Sequence, residues 1–227
     1  MAIGIKDCRN CLIGNFGVSE FANLLHPAHL ILIEGRFSAM NINEAMTGRR
    51  SVRDYTSKKI DETSIRLLLE AAVQAPTAIH EEPWAFAIVQ DKDLLNRLSD
   101  AAKELLNSGA DPILVSGTSH LNDHLISPEF NAFYNATTLI VICAKPTGAF
   151  VAADCWLAAQ NLMLAAYAQG FGTCVIGLAV SAINTPEWKK ALDIPSDMTA
   201  FVPIIVGEPA SETSPVSRKP PAILSWK

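Results

Sequence analysis

Hydrophobic residues recur with helical spacing in several segments after Met40. The segment after Asp61 places apolar residues three and four positions apart until Pro76, which predicts a helix capped by Asp61. The segment after Asp91 or Asp93 shows the same spacing and predicts a second amphipathic helix. Further helices are expected from Asn41 or Asn43 to Gly48, from about Val151 to Gln169, and from Pro186 to Ala191.

Runs of mostly apolar residues predict the strands of a sheet. The run from Trp84 to Gln90 is short and nearly continuous, which is typical of a strand that is covered on both faces. Gly170 is expected to end the long helix before it in the left-handed conformation. Helices that alternate with strands indicate an α/β or α+β domain with helices on both faces of one sheet. The remaining strands are predicted at 137–143, 173–178 and 200–206.

Three parts of the chain lack a regular pattern. Residues 1–39 are interrupted by glycines and Pro27, so they are expected to form an N-terminal extension of uncertain structure before a domain at 40–227. Residues 108–131 form a long irregular stretch, of the kind that often covers a binding site. The tail from Glu208 is rich in proline and serine, and we expect it to lie across the body of the protein or a partner subunit.

The composition is that of a globular protein with an acidic charge balance. Hydrophobic residues make up 49% of the 227 positions, charged residues make up 18%, and the formal net charge is −5. This balance argues against nucleic acid as the main partner, because phosphate neutralisation requires a broad basic face. A mean hydropathy of +0.22 indicates either a large core or an apolar surface that is buried in an oligomer.

The sequence shows no membrane span and no convincing signal peptide. Its most apolar long stretch, 152–168, contains Asp154 and two amide side chains, which are costly in lipid. The five cysteines are odd in number and scattered, so a disulfide framework is not expected and a reducing cytoplasm is. Cys8 and Cys11 lack the second pair of ligands that a zinc site needs, and no metal site is predicted.

The strongest candidate chemistry lies in the basic segment 49–53, which reads RRSVR. Guanidinium and hydroxyl groups are matched to phosphate oxygens. The segment alone leaves two interpretations open, a solvated charged turn and a phosphate cradle. Gly170-x-Gly172 does not indicate a dinucleotide fold, because a helix precedes it and a strand follows it. No nucleophile and base stand out as a catalytic pair.

Four segments together resemble the FMN-dependent nitroreductase family. They are RRSVR at 49–53, the loop 75–84 that begins APTA and ends Pro-Trp, AQNLMLAA at 159–166, and GFGTCVIG at 170–177. The resemblance covers residues 40–227. It implies an α+β fold, a three-layer α/β/α sandwich with a central mixed sheet, that forms an intertwined homodimer with one FMN in each of two interface clefts.

The resemblance also implies which residues hold the cofactor. Arg49, Ser51 and Arg50 would bind the FMN phosphate, joined late in the chain by Arg218. Arg53 matches the position whose cation approaches the pyrimidine side of the flavin. A fixed guanidinium there would stabilise the negative charge of the reduced flavin.

Two further segments would complete the site. The loop Pro76-Thr77-Ala78 would come from the other subunit, and the backbone at Ile176-Gly177 would pass beside the isoalloxazine and donate an N–H to it. The chain departs from the family where His-Asn-x-Gln commonly precedes Pro-Trp, because it has Ile79-His80-Glu81-Glu82 there. His80 and Glu82 would then replace the amides at the flavin edge, and an anion there would make the flavin harder to reduce.

The implied function is that of an FMN-dependent NAD(P)H oxidoreductase working by ping-pong hydride transfer through flavin N5. NADH or NADPH would reduce the flavin, and an electron-poor small molecule such as a nitroaromatic or a quinone would then accept the hydride. No residue is assigned as catalytic, because the flavin carries the chemistry. Two alternatives stay open: a specialised flavoenzyme of the same fold, such as a reductive dehalogenase, and a non-catalytic flavin-binding carrier or sensor.

Overall fold

The computed structural model describes residues 40–108, 125, 127 and 129–227. Residues 1–39 and most of the predicted lid at 108–131 lie outside the described residues. The helices are α1 (Ile42–Gly48), α2 (Glu62–Ala72), α3 (Lys92–Asn107), α4 (Val151–Ala168), α5 (Ala179–Ile183) and α6 (Pro186–Ala191), with a 3₁₀ turn at Ala78–His80. The strands are β1 (Trp84–Val89), β2 (Thr138–Ala144), β3 (Gly172–Val175) and β4 (Thr199–Gly207).

The four strands form one sheet in the order β1-β2-β4-β3, and each neighbouring pair is antiparallel. β2 lies inside the sheet and is buried along its whole length. The register between β2 and β4 shifts at Ile142 and Cys143, which leaves Phe201 without an opposing residue and bends β4 there. An isolated parallel bridge joins Ser51 to Thr173 at the free side of β3.

Hydrophobic clusters cover both faces of the sheet. One cluster joins α2 and α4 to one side of β2 through Leu68, Leu162 and Ile142. The other joins α3 and α5 to the opposite side through residues that include Leu98 and Val141. Since neighbouring residues of a strand face opposite sides, β2 contributes to both clusters in alternation. This arrangement confirms the predicted α+β sandwich with helices on both faces.

The helix N-termini follow the capping signals of the sequence. Asn41 accepts a hydrogen bond from the Glu44 N–H at 3.0 Å, and the Glu44 carboxylate accepts from the Asn41 N–H at 2.9 Å, which is a complete capping box. The side chains of Asp61, Asp91 and Thr185 each accept from the N–H three residues later, at 2.8, 2.9 and 3.3 Å. The predicted caps of α2 and α6 are therefore confirmed, and Asn41 and Asp91 are the caps of α1 and α3.

The predicted left-handed end of α4 is also confirmed. Gly170 has φ +81°, and its N–H donates to the Tyr167 carbonyl at 3.0 Å. The Phe171 N–H donates to the Ala166 carbonyl at 2.8 Å. These two bonds satisfy carbonyls that the end of a helix leaves unpaired, and they turn the chain directly into β3.

The strands agree with the sequence in part. β1 packs on both faces as predicted, since Trp84 and Phe86 contact one hydrophobic cluster and Ala87 and Val89 the other, but it is the edge strand of the described sheet and is only partly buried. A run of apolar residues indicates that a strand packs against a core, but it does not indicate whether that strand lies inside the sheet or at its edge. β3 ends at Val175 rather than at 178, and α5 begins four residues later, in a segment where small and β-branched residues gave no clear helical signal.

The tail after β4 has no helix or strand and is exposed from residue 210 onward. Its first residues are tied to the body, since the Ala210 N–H donates to the Asp54 carbonyl at 3.0 Å and the Ser211 hydroxyl donates to the Asp54 carboxylate at 3.2 Å. The tail thus begins by lying across the body, as one of the two expectations stated. No helix in the described part of the chain has both the length and the apolar character that a bilayer crossing requires.

Candidate functional site

The basic segment 49–53 leaves α1 and runs along the free side of β3. The Val52 N–H donates to the Thr173 carbonyl at 3.0 Å, beside the bridge between Ser51 and Thr173. Gly172 makes this close approach possible, because a Cβ there would lie 2.7 Å from the Cβ of Val52. The segment is therefore held by backbone pairing, and its side chains at 49, 51 and 53 are presented by a fixed backbone.

Arg49 and Arg50 line an open cleft of about 660 Å³ between the end of α1, the turn after α4 and the start of the tail. The cleft also contains the Glu208 carboxylate, which forms an ion pair with Lys58 at 3.3 Å. Its other lining residues are Gly48, Val52, Tyr167, Gly170, Phe171, Gly172, Thr173, Pro209, Ala210, Ser211, Glu212 and Thr213.

Three guanidinium groups lie close together at this side of the chain. Burial lowers the pKa of Arg49, and the neighbouring guanidinium groups of Arg218 and Arg50 lower it further. Arg218, in the tail, is therefore close to Arg49, with which the family resemblance grouped it. Guanidinium groups that repel one another in a partly desolvated place are stabilised by an anion, and phosphate matches their geometry.

Arg50 adds an unsatisfied donor to the cleft. Its Nη1 donates to the carbonyls of Thr47 at 2.7 Å and Arg49 at 2.8 Å, which anchors the side chain at the end of α1. Its Nε is buried and has no partner among the described residues. A buried donor without an acceptor is costly, so this atom too favours an anionic ligand.

Arg53 does not line the 660 Å³ cleft; its guanidinium lies over the ring of Tyr134, with Cζ 5.8 Å from the ring centroid. Cys174 is close to Arg53, Ser51 and Arg49: burial raises the pKa of its thiol, and these three residues oppose that rise. Ser51, exposed at the bridge to β3, therefore shares one neighbourhood with Arg49 and Arg53. Four of the predicted residues, Arg49, Arg50, Ser51 and Arg218, lie at or beside the cleft, and Arg53 lies next to them.

The loop 76–82 lies at the other end of α4. The Ala78 N–H donates to the Asp154 carboxylate at 3.2 Å, and Asp154 is in the first turn of the helix. Tyr167, which lines the arginine cleft, is thirteen residues further along, or about 20 Å at the rise of an α-helix. One chain therefore does not bring Pro76, Thr77 and Ala78 to its own arginine cleft.

The same loop holds a strained backbone. Ile79, His80 and Glu82 have φ of 51°, 58° and 45°, in the left-handed region that residues other than glycine seldom adopt. Their side chains are exposed, so nothing in the described chain covers the predicted His80 and Glu82. Strain of this kind persists only where surrounding contacts fix the backbone, and it is concentrated at functional sites.

Ile176 and Gly177 follow β3. The Ile176 N–H is already used, because it donates to the Pro203 carbonyl at 2.9 Å. Gly177 is exposed, its N–H donates to no described residue, and a Cβ on it would meet nothing within 4 Å. Of this predicted pair, Gly177 is the one with a free donor.

Sequence reasoning missed three residues of these neighbourhoods. Asp154 is 3% exposed and has one carboxylate oxygen without a partner, and its signal was an acid within an apolar helix. Tyr167 packs so closely on Gly48 that a Cβ at Gly48 would collide with its ring. Tyr134 carries no local signal of its contact with Arg53. Within the described residues, no group of three or more His, Cys, Asp or Glu side chains is placed to hold a metal ion.

The fold is an α+β sandwich, and an open cleft lined by Arg49 and Arg50 lies beside β3. The model of the nitroreductase family matches residues 46–207, and the chain belongs to that family. The prediction drawn from the four motifs is confirmed.

Known relatives cover most of the chain. A protein of Methanothermobacter thermautotrophicus, provisionally named an NADH dehydrogenase/NAD(P)H nitroreductase, is 26% identical over 189 residues, which are 82% of this chain and 86% of that protein. The FMN reductase (NAD(P)H) of Bacillus subtilis is 24% identical over 177 residues, covering 78% of this chain and 69% of that protein. A nitroreductase from Bacteroides fragilis, crystallised with bound FMN, is 25% identical with a TM-score of 0.68, covering 83% and 98% of the two chains.

Proposed function

We propose that this protein is an FMN-dependent NAD(P)H oxidoreductase. The observation that carries the proposal is the arginine cleft, which Arg49 and Arg50 line, where Arg218 is close enough to lower the pKa of Arg49 and where the Arg50 Nε has no partner among the described residues. Such a donor set fits the terminal phosphate of FMN. The names of the relatives from Methanothermobacter and Bacillus, and the FMN in the Bacteroides structure, support the same function.

The chain's own residues would bind and orient the cofactor. Arg49, Ser51 and Arg218 would hold the phosphate, and the Gly177 N–H would donate to the isoalloxazine. Arg53 would place its guanidinium at the pyrimidine side, where negative charge develops on reduction. Bound FMN supplies the redox chemistry: hydride from NADH or NADPH in one half-reaction, and hydride to an electron-poor small molecule such as a nitroaromatic or quinone in the other.

The complete site would require a homodimer. The loop 76–82 is about 20 Å from the arginine cleft of the same chain, so a second copy would have to supply it. An apolar face is available for that contact, because Trp156 and Leu157 on α4 are 49% and 45% exposed. In the tail, Leu224 and Trp226 are 99% and 88% exposed, and they would be covered by the partner.

The reaction would take place in a reducing compartment such as the cytoplasm. Cys143, Cys155 and Cys174 are free thiols in the described structure, which is typical of proteins that are not exposed to an oxidising environment. Their burial protects them from the redox chemistry of small molecules at the cleft.

The direct test is the double variant Arg49→Ala/Arg218→Ala. It should purify without the yellow colour of flavin and should not recover it on addition of FMN, while sedimentation still shows a folded dimer. Lys59→Ala/Lys92→Ala is a matched control, because it removes two exposed positive charges that lie outside the arginine cleft, and it should keep full FMN occupancy. Full occupancy in the arginine double variant would refute the phosphate assignment.

Turnover is tested on the unmodified protein. Anaerobic mixing with NADH or NADPH should bleach the flavin rapidly, and adding a nitroaromatic or quinone should restore the oxidised spectrum. A flavin that stays oxidised with both nucleotides would instead indicate a carrier or sensor.

A further inference from the structure

The turn that leads into β2 is pinned to α3 by side-chain hydrogen bonds. The Asn131 amide Nδ2 donates to the Asn96 Oδ1 at 3.0 Å, and the Ala132 N–H donates to the hydroxyl of Ser99 at 2.8 Å. Ser99 is 1% exposed, so this bond lies in the core. The Asn131 Oδ1 also accepts from the Phe133 N–H at 2.9 Å. The turn is therefore fixed from both its own backbone and the neighbouring helix.

This pinned turn holds two consecutive residues in the left-handed region. Tyr134 has φ 51° and Asn135 has φ 57°. Asparagine tolerates this conformation, but it is rare for a bulky aromatic residue. The Tyr134 N–H donates to the Asn131 carbonyl at 2.9 Å and the Ala136 N–H donates to the Phe133 carbonyl at 2.9 Å, so the strain is maintained on both sides. Strain maintained in this way indicates a functional reason for where the Tyr134 side chain points.

The Tyr134 ring is directed at Arg53. The Arg53 Cζ lies 5.8 Å from the ring centroid, which is within the range of a cation–π contact. Phe130 meets the same ring edge-on, with centroids 5.5 Å apart and planes at 86°, and this contact restrains the orientation of the ring. Arg53 forms no ion pair with a described carboxylate, so its guanidinium is directed by the Tyr134 ring together with the neighbouring Cys174 thiol.

We propose that Tyr134 is a positioning residue for Arg53, and that through Arg53 it raises the reduction potential of the bound flavin. The proposal rests on the proposed function, in which Arg53 faces the flavin pyrimidine. An exposed arginine without a platform samples many rotamers, and its charge is then only partly available to the reduced flavin. A guanidinium held against the Tyr134 ring acts from one place and needs no reorganisation when the flavin is reduced.

The test is the two-electron midpoint potential of the bound FMN in Tyr134→Asn and Tyr134→Phe. Asparagine removes the ring but accepts the left-handed backbone, so the turn is expected to survive. Tyr134→Asn should lower the equilibrium constant for flavin reduction about tenfold, a potential about 30 mV more negative. Tyr134→Phe keeps the ring face and should restore the potential of the unmodified protein. Asn135→Gly relaxes the same turn without touching the ring and should leave the potential unchanged.

A double-mutant cycle with Arg53→Gln separates positioning from a general effect on the fold. Arg53→Gln should lower the potential at least as much as Tyr134→Asn does, and adding Tyr134→Asn to it should have no further effect. A full additional shift in the double variant, an unchanged potential in Tyr134→Asn, or loss of FMN from Tyr134→Asn would each overturn the proposal.

The failure of the proposed function is distinguishable from that outcome. A protein that binds no FMN in its unmodified form would refute the function itself. An Arg53→Gln variant with an unchanged potential would remove Arg53 from the flavin and the role of Tyr134 with it. A shifted potential in Arg53→Gln beside an unchanged one in Tyr134→Asn would overturn only the role of Tyr134.

Discussion

The two ends of α4 serve the proposed site in different ways. At the C-terminal end, Gly170 turns the chain into β3, and the arginine segment 49–53 is paired with that strand through backbone hydrogen bonds. At the N-terminal end, the Asp154 carboxylate holds the loop 76–82, which lies outside the sheet and is largely exposed. The first end presents charged side chains on a regular backbone. The second presents an irregular backbone fixed by one buried side chain.

The difference shows how chemistry becomes visible in a sequence. Arginine and serine at 49–53 are chemically distinctive, so their role could be inferred before their positions were known. The loop owes its shape to the left-handed conformations of Ile79, His80 and Glu82, and such a conformation is uncommon for any residue other than glycine, so it could not be predicted from these residues. Ligand-binding features made of side chains can be found by motif, whereas those made of backbone shape need the structure.

The largest effect is expected from a substitution that crowds the segment 49–53 at the C-terminal end of α4. In Gly172→Ala the new Cβ would lie 2.7 Å from the Val52 Cβ, so the segment 49–53 must move away from β3. We expect a loss of about 1–3 kcal/mol in the free energy of unfolding and at least tenfold weaker FMN binding. Urea unfolding and FMN titration measure the two effects.

Gly148→Ala is the matched control at the other end of α4. A Cβ at Gly148 has its nearest neighbour, the Val151 side chain, at 3.8 Å, which is an ordinary contact. Its stability and FMN affinity should equal those of the unmodified protein. If both alanine variants bound FMN equally well, the close packing of the arginine segment on β3 would have no part in cofactor binding.

A smaller and more local effect is expected at the loop end. Asp154→Ala leaves the Ala78 N–H without its acceptor, which costs about 1–3 kcal/mol in local stability. Hydrogen exchange at the Ala78 amide should therefore rise about tenfold or more, while the proposed binding of phosphate by Arg49 and Arg218 should be unaffected.

Asp154→Asn sharpens this prediction because it keeps an oxygen acceptor at the same place. Exchange at Ala78 should stay close to that of the unmodified protein, and mass spectrometry of exchanged peptides would resolve the two variants. Equal exchange in Asp154→Ala and Asp154→Asn would mean that the carboxylate does not hold the loop.

The smallest effect concerns the thiols near the two ends. Burial raises the pKa of Cys155, beside Asp154, from 9.0 to about 12. Burial also raises the pKa of Cys174, but Arg53, Ser51 and Arg49 oppose that rise. A thiol whose pKa is raised in the folded state does not change the free energy of unfolding below about pH 9, because it is protonated in both the folded and the unfolded protein. As the pH rises from about 9 towards 12 the thiol ionises first in the unfolded protein, so the free energy of unfolding falls.

The decrease in the free energy of unfolding at alkaline pH should therefore be smaller in Cys155→Ala than in Cys174→Ala. Urea unfolding of Cys155→Ala and Cys174→Ala at pH 8, 9.5 and 10.5 provides the comparison, and each variant is referred to its own value at pH 8. A smaller decrease at alkaline pH in Cys174→Ala than in Cys155→Ala would show that the arginines do not lower the pKa of the Cys174 thiol.

Much of the fold followed from local signals in the sequence. The caps at Asn41, Asp61, Asp91 and Thr185 and the glycine at the end of α4 were readable, because each depends on one or two neighbouring residues. The edge position of β1 and the helix α5 were not, because both depend on which segments of the folded chain become neighbours.

The candidate site divides in the same way. The grouping of Arg218 with Arg49 was inferred from family resemblance, and it is consistent with the position of Arg218 in the structure. Asp154 and Tyr134 could not be assigned, since their roles depend on contacts with residues 76 and 81 positions away in the sequence. The assignment of the twelve predicted residues to FMN stays a prediction that the arginine double variant tests.

The position of Arg218 affects how the boundary of this domain should be drawn. The match to the family ends at residue 207, which is also the last residue of β4. A truncation at that point would keep all the described strands and helices, and it would give a shortened protein of intact appearance. It would also delete Arg218 and the two tail residues that bond to Asp54. A boundary set by similarity alone would thus preserve the scaffold and discard a residue of the proposed phosphate site.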